Sequence, residues 1–445
     1  MIQTVENIGE KLVSMLTYDA SQPLIFSSGL FLFLFAGFLF FYGFTRRAPM
    51  ARIVYVILFS LYFYYKSSGI YFLLLVFASV SDYWIAHAIY KVRTQRAKYW
   101  LVGLSVLVNL GMLGYFKYTN FLIEIANNLF GQGFLNFQNI FLPVGISFFV
   151  FQSMSYTIDI CRGQLKPLNN WADYLFYLSF FPQLVAGPIV RAKDFIPQIR
   201  QNPLRVTREM FGMGVFLILI GLFKKAVISD YISLNFVDRI FDEPLLYSGF
   251  ECLMGIYGYA LQIYCDFSGY SDMAIGIALL LGFRFPKNFD APYKSATITE
   301  FWRRWHISLS TWLRDYLYIS LGGNRKGRIR TYFNLLVTML LGGLWHGAAV
   351  RFILWGALHG IALALHKLWL SVVPGSKATG AEMRWFWRIP GIFFTFNLVC
   401  FGWLMFRAES MKTVQLMLHQ IFTNFNPSVI PQVLEGYAGI FLLVG

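Results

Sequence analysis

From Leu24 to Thr45 the chain runs 22 residues without a charged side chain. A helix of that length covers the roughly 30 Å apolar core of a bilayer. Hydrocarbon offers no partner to an open backbone N–H or C=O, so a chain built from such stretches must be helical wherever it meets lipid. Further stretches of this kind recur along the 445 residues, and only 13% of the side chains are charged, against about 25% in soluble domains. The sequence therefore predicts an all-α polytopic membrane protein. Aromatic residues reach 19%, as suits lipid-facing and interfacial surfaces.

Spans are expected at about 24–45, 52–65, 69–90, 99–127, 139–160, 210–229, 331–347, 351–371 and 388–406. Ser248–Phe283 reads as one long helix interrupted at Gly269, and about eleven transmembrane helices result. Trp171–Ile189 is apolar but broken by Pro182, Gly187 and Pro188, so it reads as a re-entrant or bent segment lodged inside protein. Residues 1–23 are mildly amphipathic and carry Glu6 and Glu10, which favours an interfacial helix over a secretory signal. The closing run Tyr437–Gly445 is too short for a span. Residues 24–445 are read as a single membrane domain.

The net charge of +15 resides mainly in short loops. Stretch 91–98, KVRTQRAK, has four basic residues and no acid, whereas 128–138 has no charge. The positive-inside rule places loops 46–52, 91–98, 162–166, 191–208 and 284–330 in the cytoplasm and 128–138 outside. Nucleic-acid binding is the weaker explanation of this charge. Cys161, Cys252, Cys265 and Cys400 show no metal spacing and read as packing residues.

Chemistry concentrates between Phe285 and Gly360. In FWRRWHISLSTWLRDYLY, Trp302, Trp305, Leu309 and Trp312 recur at helical spacing, the mark of an interfacial helix. That pattern leaves His306 unexplained; on a continuous helix it shares a face with Ser310. Asp315 is expected to pair with Arg304 or Arg314. In LLGGLWHGAAV, His346 lies among Gly342, Gly343 and Gly347, small residues that let a helix or ligand come close. A neutral imidazole there can accept a proton from an alcohol. His359 follows thirteen residues later, about 20 Å along a continuous helix and on another face, which makes it a supporting residue. Asn334 is expected to bond a neighbouring helix. Asp266, Ser268, Tyr270 and Asp272 form a polar cluster, explained by hydrogen bonds at a kink or by a substrate passage. Six histidines without an HxxxH or HExxH box argue against di-iron and zinc enzymes.

At these residues the sequence resembles the membrane-bound O-acyltransferase family. The resemblance rests on LPVGISFFVFQSMSYTIDICRG at 142–163, FFPQLVAGPIVR at 180–191, the stretch 266–325, and GGLWHGAAVRFILWGALHG at 342–360. It extends over roughly 24–407, with 142–360 as its core. More narrowly, the chain is similar to the bacterial branch that contains the alginate and peptidoglycan O-acetylase membrane subunits and the teichoic-acid D-alanyl transfer protein. The resemblance implies a ring of helices around a thin catalytic centre in the bacterial inner membrane. It implies His346 as the catalytic histidine and His306 as its partner. It implies an acyl thioester donor, acetyl-CoA or an acylated carrier, with no permanently bound cofactor and no metal. An extracytoplasmic acetyltransferase or esterase-like partner would complete transfer onto a polysaccharide. Trp345 or backbone N–H groups are candidate oxyanion donors, and Arg303, Arg304 and Arg325 candidate contacts for donor phosphates. The competing readings are a non-enzymatic transporter of lipid-linked glycan and, within the family, transfer of D-alanyl or another acyl group, or transfer to protein or lipid.

Overall fold

The computed structural model describes residues 13–45, 47–201, 205–373 and 384–436. Every regular element among them is helical. Of the expected interfacial segment 1–23, residues 1–12 lie outside the described residues, as does the terminal run 437–445. Five helical segments are long and apolar enough to cross a membrane: Pro49–Lys91, Gln95–Phe130, Arg208–Asp242, Val350–Val372 and Trp385–Arg407; Gly29–Thr45 is a shorter apolar one. This establishes a multi-pass membrane protein. The other expected spans do not match this description. The helix inside 139–160 keeps 16 residues, Ile146–Cys161, and the one at 331–347 begins with Arg328 and Arg330.

The chain divides into two compact units, 1–218 with 273–286, and 219–272 with 287–445. In the first, α1 (Gly29–Tyr42), α2 (Pro49–Ser68), α3 (Phe72–Lys91), α4 (Gln95–Leu113), α5 (Thr119–Phe130), α6 (Ile146–Cys161) and α7 (Trp171–Ser179) follow in order. Stacked and edge-on rings of Phe26, Phe31, Phe35, Phe38, Phe63 and Phe181 fill the space between α1 and α2. The broken segment is buried inside protein, as irregular backbone at membrane depth must be. Phe180 interrupts the helix after Ser179. The Tyr177 hydroxyl donates to the Val190 carbonyl at 3.0 Å. A Cβ on Gly187 would lie 2.7 Å from the Gln183 Cα, so this fold-back requires glycine. Between α3, α4 and α6, the fully buried Asp82 accepts hydrogen bonds from Ser105 at 2.7 Å, Asn109 at 2.6 Å and Ser153. Such a satisfied carboxylate fastens three helices in the buried interior.

In sequence order α8 (Ala192–Ile199), α9 (Arg208–Leu222) and α10 (Gly249–Leu280) follow. α10 runs unbroken through Gly269, contrary to the expected interruption. Glycine there serves close packing instead, since a Cβ would sit 2.7 Å from the Gly221 carbonyl oxygen. The acids around it form ion pairs with the segment after α9 rather than hydrogen bonds at a kink. Lys225 bonds Asp266 at 2.6 Å and Asp230 at 2.8 Å, and Lys224 bonds Asp272 at 2.7 Å. The second unit continues with α11 (Ile298–Arg304), α12 (Ile307–Trp312), α13 (Arg328–His346), α14 (Val350–Val372), α15 (Trp385–Arg407) and α16 (Met411–Thr423). Its core gathers Ile256, Tyr259, Phe301, Trp305, Trp355 and Trp403, among others.

Candidate active site

The Trp-rich stretch is two short helices, not one. Thr297 caps α11 by accepting from the Glu300 N–H. The helix ends at Arg304 because Asn288–Asp290 pairs with the chain there. The Asp290 N–H donates to the Arg304 carbonyl at 2.9 Å, and the Ile307 N–H to the Asn288 carbonyl at 2.8 Å. The Asn288 side chain accepts from the Ser308 hydroxyl at 2.9 Å and donates to Ser271 at 3.0 Å. Between these anchors His306 adopts φ 42°, ψ 56°, a left-handed conformation uncommon for a residue other than glycine. His306 therefore stands at the start of α12 and shares no helix face with Ser310, whose hydroxyl donates to the Trp305 carbonyl at 3.1 Å.

The break drives the His306 ring inward. It is 1% exposed and lies 4.6 Å from Phe267 and 6.3 Å from Trp345 between ring centres. Neither ring nitrogen has a hydrogen-bond partner among the described residues. Burial, reinforced by repulsion from nearby His346, depresses its pKa well below the ordinary histidine value and keeps it neutral.

His346 is the last residue of α13. The chain turns over Gly347–Ala349 and returns as α14, so His346 and His359 lie on two packed helices rather than along one. Expected closeness at the glycines is present. A Cβ on Gly343 would run into the Phe352 carbonyl and come within 3.2 Å of the Gly356 Cα. Half-buried His346 is surrounded by Trp345, Trp355 and Phe406 at 4.9, 5.2 and 5.1 Å. Trp355 in turn lies 4.7 Å from the fully buried His359. One indole ring thus separates two histidines that the one-helix argument held far apart. The indole N–H groups of Trp302 and Trp355 and both nitrogens of His359 are buried without partners among the described residues. Groups of this kind are costly in an apolar interior unless a polar ligand engages them.

A cavity of about 760 Å³ opens beside this cluster, lined by Trp302, Ser310 and the basic or polar Arg303, Arg314, Asn324 and Lys367. Lys367 donates to the Asn324 side chain at 2.6 Å. Of the expected donor contacts only Arg303 lines this cavity. Arg304 is committed to Glu300 at 2.9 Å and to Asp290 at 3.7 Å; Arg325 is exposed in the turn before α13. Asp315 pairs with Arg314 at 2.6 Å and not with Arg304. Asn334 donates to the Gly323 carbonyl at 3.0 Å, bonding the 321–323 turn rather than a neighbouring helix. Trp355, Phe406, Asn324 and Lys367 escaped the sequence reading. A signal existed for two of them: Trp355 is one turn before His359 and Lys367 two turns after it, on a common helix face. Among the described residues no three His, Cys, Asp or Glu side chains gather as a metal site.

The family model described as MBOAT, membrane-bound O-acyltransferase family, matches residues 164–410. The chain belongs to the membrane-bound O-acyltransferase family. Both candidate histidines, the α13–α14 hairpin and the basic cavity fall inside the matched region. The chain is 44% identical over 406 residues to "Probable alginate O-acetylase AlgI" of Azotobacter vinelandii, covering 90% of this chain and 78% of that protein. It is 37% identical over 428 residues to the peptidoglycan O-acetyltransferase of Helicobacter pylori, covering 89% and 79%. Similarity to the teichoic acid D-alanyltransferase of Bacillus subtilis is lower, 29% over 289 residues, covering 61% and 70%. As a member of this family the protein is an acyltransferase, and its substrates include an acyl donor.

Proposed function

We propose that this membrane acyltransferase takes acetyl from a cytosolic thioester and delivers it for O-acetylation of a cell-envelope or secreted polysaccharide. The observation that carries the reading is the placement of half-buried His346 and buried His306 against the same ring, Trp345, at 4.9 and 6.3 Å. Extended similarity to two O-acetyltransferases supports acetyl over D-alanyl. Acetyl-CoA is the proposed donor. Its phosphates would meet Arg303, Arg314 and Lys367, and its arm would enter along Trp302 and Ser310.

In the chemical step His346 accepts the proton of an acceptor hydroxyl while its oxygen attacks the thioester carbonyl. The negative charge that develops on the carbonyl oxygen would be met by N–H donors of the cluster, the Trp355 indole and the His306 imidazole. Collapse breaks the carbon–sulfur bond, and the departing thiolate takes the proton back from His346. Trp345, Trp355 and Phe406 hold the imidazole in one orientation and limit water. The proposed setting is a bacterial cytoplasmic membrane with the basic loops inside, and an extracytoplasmic esterase-like protein completes transfer to the polymer.

A His346→Ala variant that reaches the membrane in normal amounts is expected to abolish polysaccharide O-acetylation and turnover of labelled acetyl-CoA. Full O-acetylation by that variant would overturn the proposal. Failure of wild-type protein to consume acetyl-CoA would point instead to a different acyl donor.

A further inference from the structure

The first unit contains a cavity of its own, of about 200 Å³. Its walls come from Leu39, Tyr42 and Gly43 at the end of α1, Arg52 in the first turn of α2, Phe211 in α9, and Leu280 at the end of α10. The Tyr42 hydroxyl fixes one edge by donating to the Leu281 carbonyl at 2.8 Å. Arg52 is 1% exposed. One of its nitrogens, Nη2, donates to the carbonyls of Ile199 at 2.9 Å and Gln201 at 2.8 Å. Among the described residues Nε and Nη1 are buried and have no partner, which leaves three N–H donors unused.

A buried guanidinium without an anion is strongly unfavourable. Among the described residues lining this cavity there is no carboxylate. The missing counter-charge must then come from a ligand, and planar N–H donors select an oxyanion, phosphate above all. The volume admits a phosphate with a small substituent and excludes a nucleotide. Around the guanidinium the walls are apolar, and Phe211 is 59% exposed on the outer side, as a residue against acyl chains would be. Arg52 belongs to a stretch, 46–52, that the positive-inside rule assigns to the cytoplasmic side, where anionic headgroups of the inner leaflet lie.

We propose that Arg52 and this crevice bind the phosphodiester of a membrane phospholipid, which joins the start of α2 to the start of α9. The proposal does not depend on the acetyl-transfer reading. The test is native mass spectrometry of the purified full-length protein from micelles doped with phosphatidylglycerol. Parallel arms use diacylglycerol with the same chains, and inorganic phosphate without lipid. The wild type is expected to retain one phosphatidylglycerol and no diacylglycerol. Arg52→Gln is expected to lower that retention roughly tenfold or more. Because Arg52 also holds two carbonyls, a second variant is needed. Val206→Trp fills the cavity from its lining and leaves those bonds in place, and it is expected to lose the lipid equally. Equal phosphatidylglycerol retention by wild type and a folded variant would overturn the proposal, as would equal retention of diacylglycerol. Arg52-dependent binding of inorganic phosphate with no lipid adduct would overturn the lipid assignment.

Discussion

Replacing Gly343 by alanine adds one methyl group where α13 and α14 touch. The three nearest atoms that it would meet are backbone: the Phe352 carbonyl oxygen and carbon, the carbon at 3.1 Å, and the Gly356 Cα at 3.2 Å. No side chain can rotate away. Even a tight 3.4 Å contact with the oxygen requires the helices to part by about 1 Å, and overpacking of this kind costs about 1–3 kcal/mol. The same displacement moves Trp355 away from His346. Misplacement of a catalytic group by 1 Å lowers turnover roughly 100-fold. Gly342→Ala is the matched control, because its methyl meets only the end of the Leu313 side chain at 3.2 Å. Both variants would be purified into lipid nanodiscs and compared by thermal unfolding and by turnover of labelled acetyl-CoA. Gly343→Ala is expected to unfold earlier and to lose about two orders of magnitude in turnover, with Gly342→Ala close to wild type. A Gly343→Ala protein with wild-type stability and turnover would refute the claim that this contact positions His346.

Four further outcomes are expected. Since burial holds His306 neutral, the unfolded chain binds its proton below about pH 6.5 and the folded chain does not; stability falls on acidification through that range, and His306→Asn reduces the slope in denaturant titrations at several pH values. Lys367→Met is expected to raise the KM for acetyl-CoA about fivefold, equivalent to about 1 kcal/mol, with kcat retained. Arg304→Gln leaves KM unchanged and lowers the unfolding temperature, because Arg304 holds Glu300; steady-state kinetics and calorimetry separate the two. Asp82→Ala removes the acceptor that Ser105, Asn109 and Ser153 share and is expected to cost about 3 kcal/mol, read as early unfolding with turnover per folded molecule intact.

Apolar length and loop charge carried the membrane class, because lipid leaves the backbone no alternative to the helix. Pro182 and Gly187 marked the one segment whose backbone had to be sheltered, and it is sheltered. The glycines around His346 announced a close approach, though not its partner. Other features depended on residues remote in sequence. Helical spacing through Trp302–Trp312 pointed to one helix, because periodicity registers only neighbours. Asn288, eighteen residues before His306, supplies the hydrogen bonds that break it. A thirteen-residue separation likewise kept His346 from His359 only while the chain was imagined straight.

What the sequence determined by itself was the solvent this chain must live in and the residues able to do chemistry there, since both follow from composition and side-chain type. Tertiary structure decided which of those residues meet. The left-handed turn at His306, the hairpin that places Trp355 between two histidines, and the commitment of Arg304 to Glu300 all arise from contacts between separate segments, which no local pattern encodes.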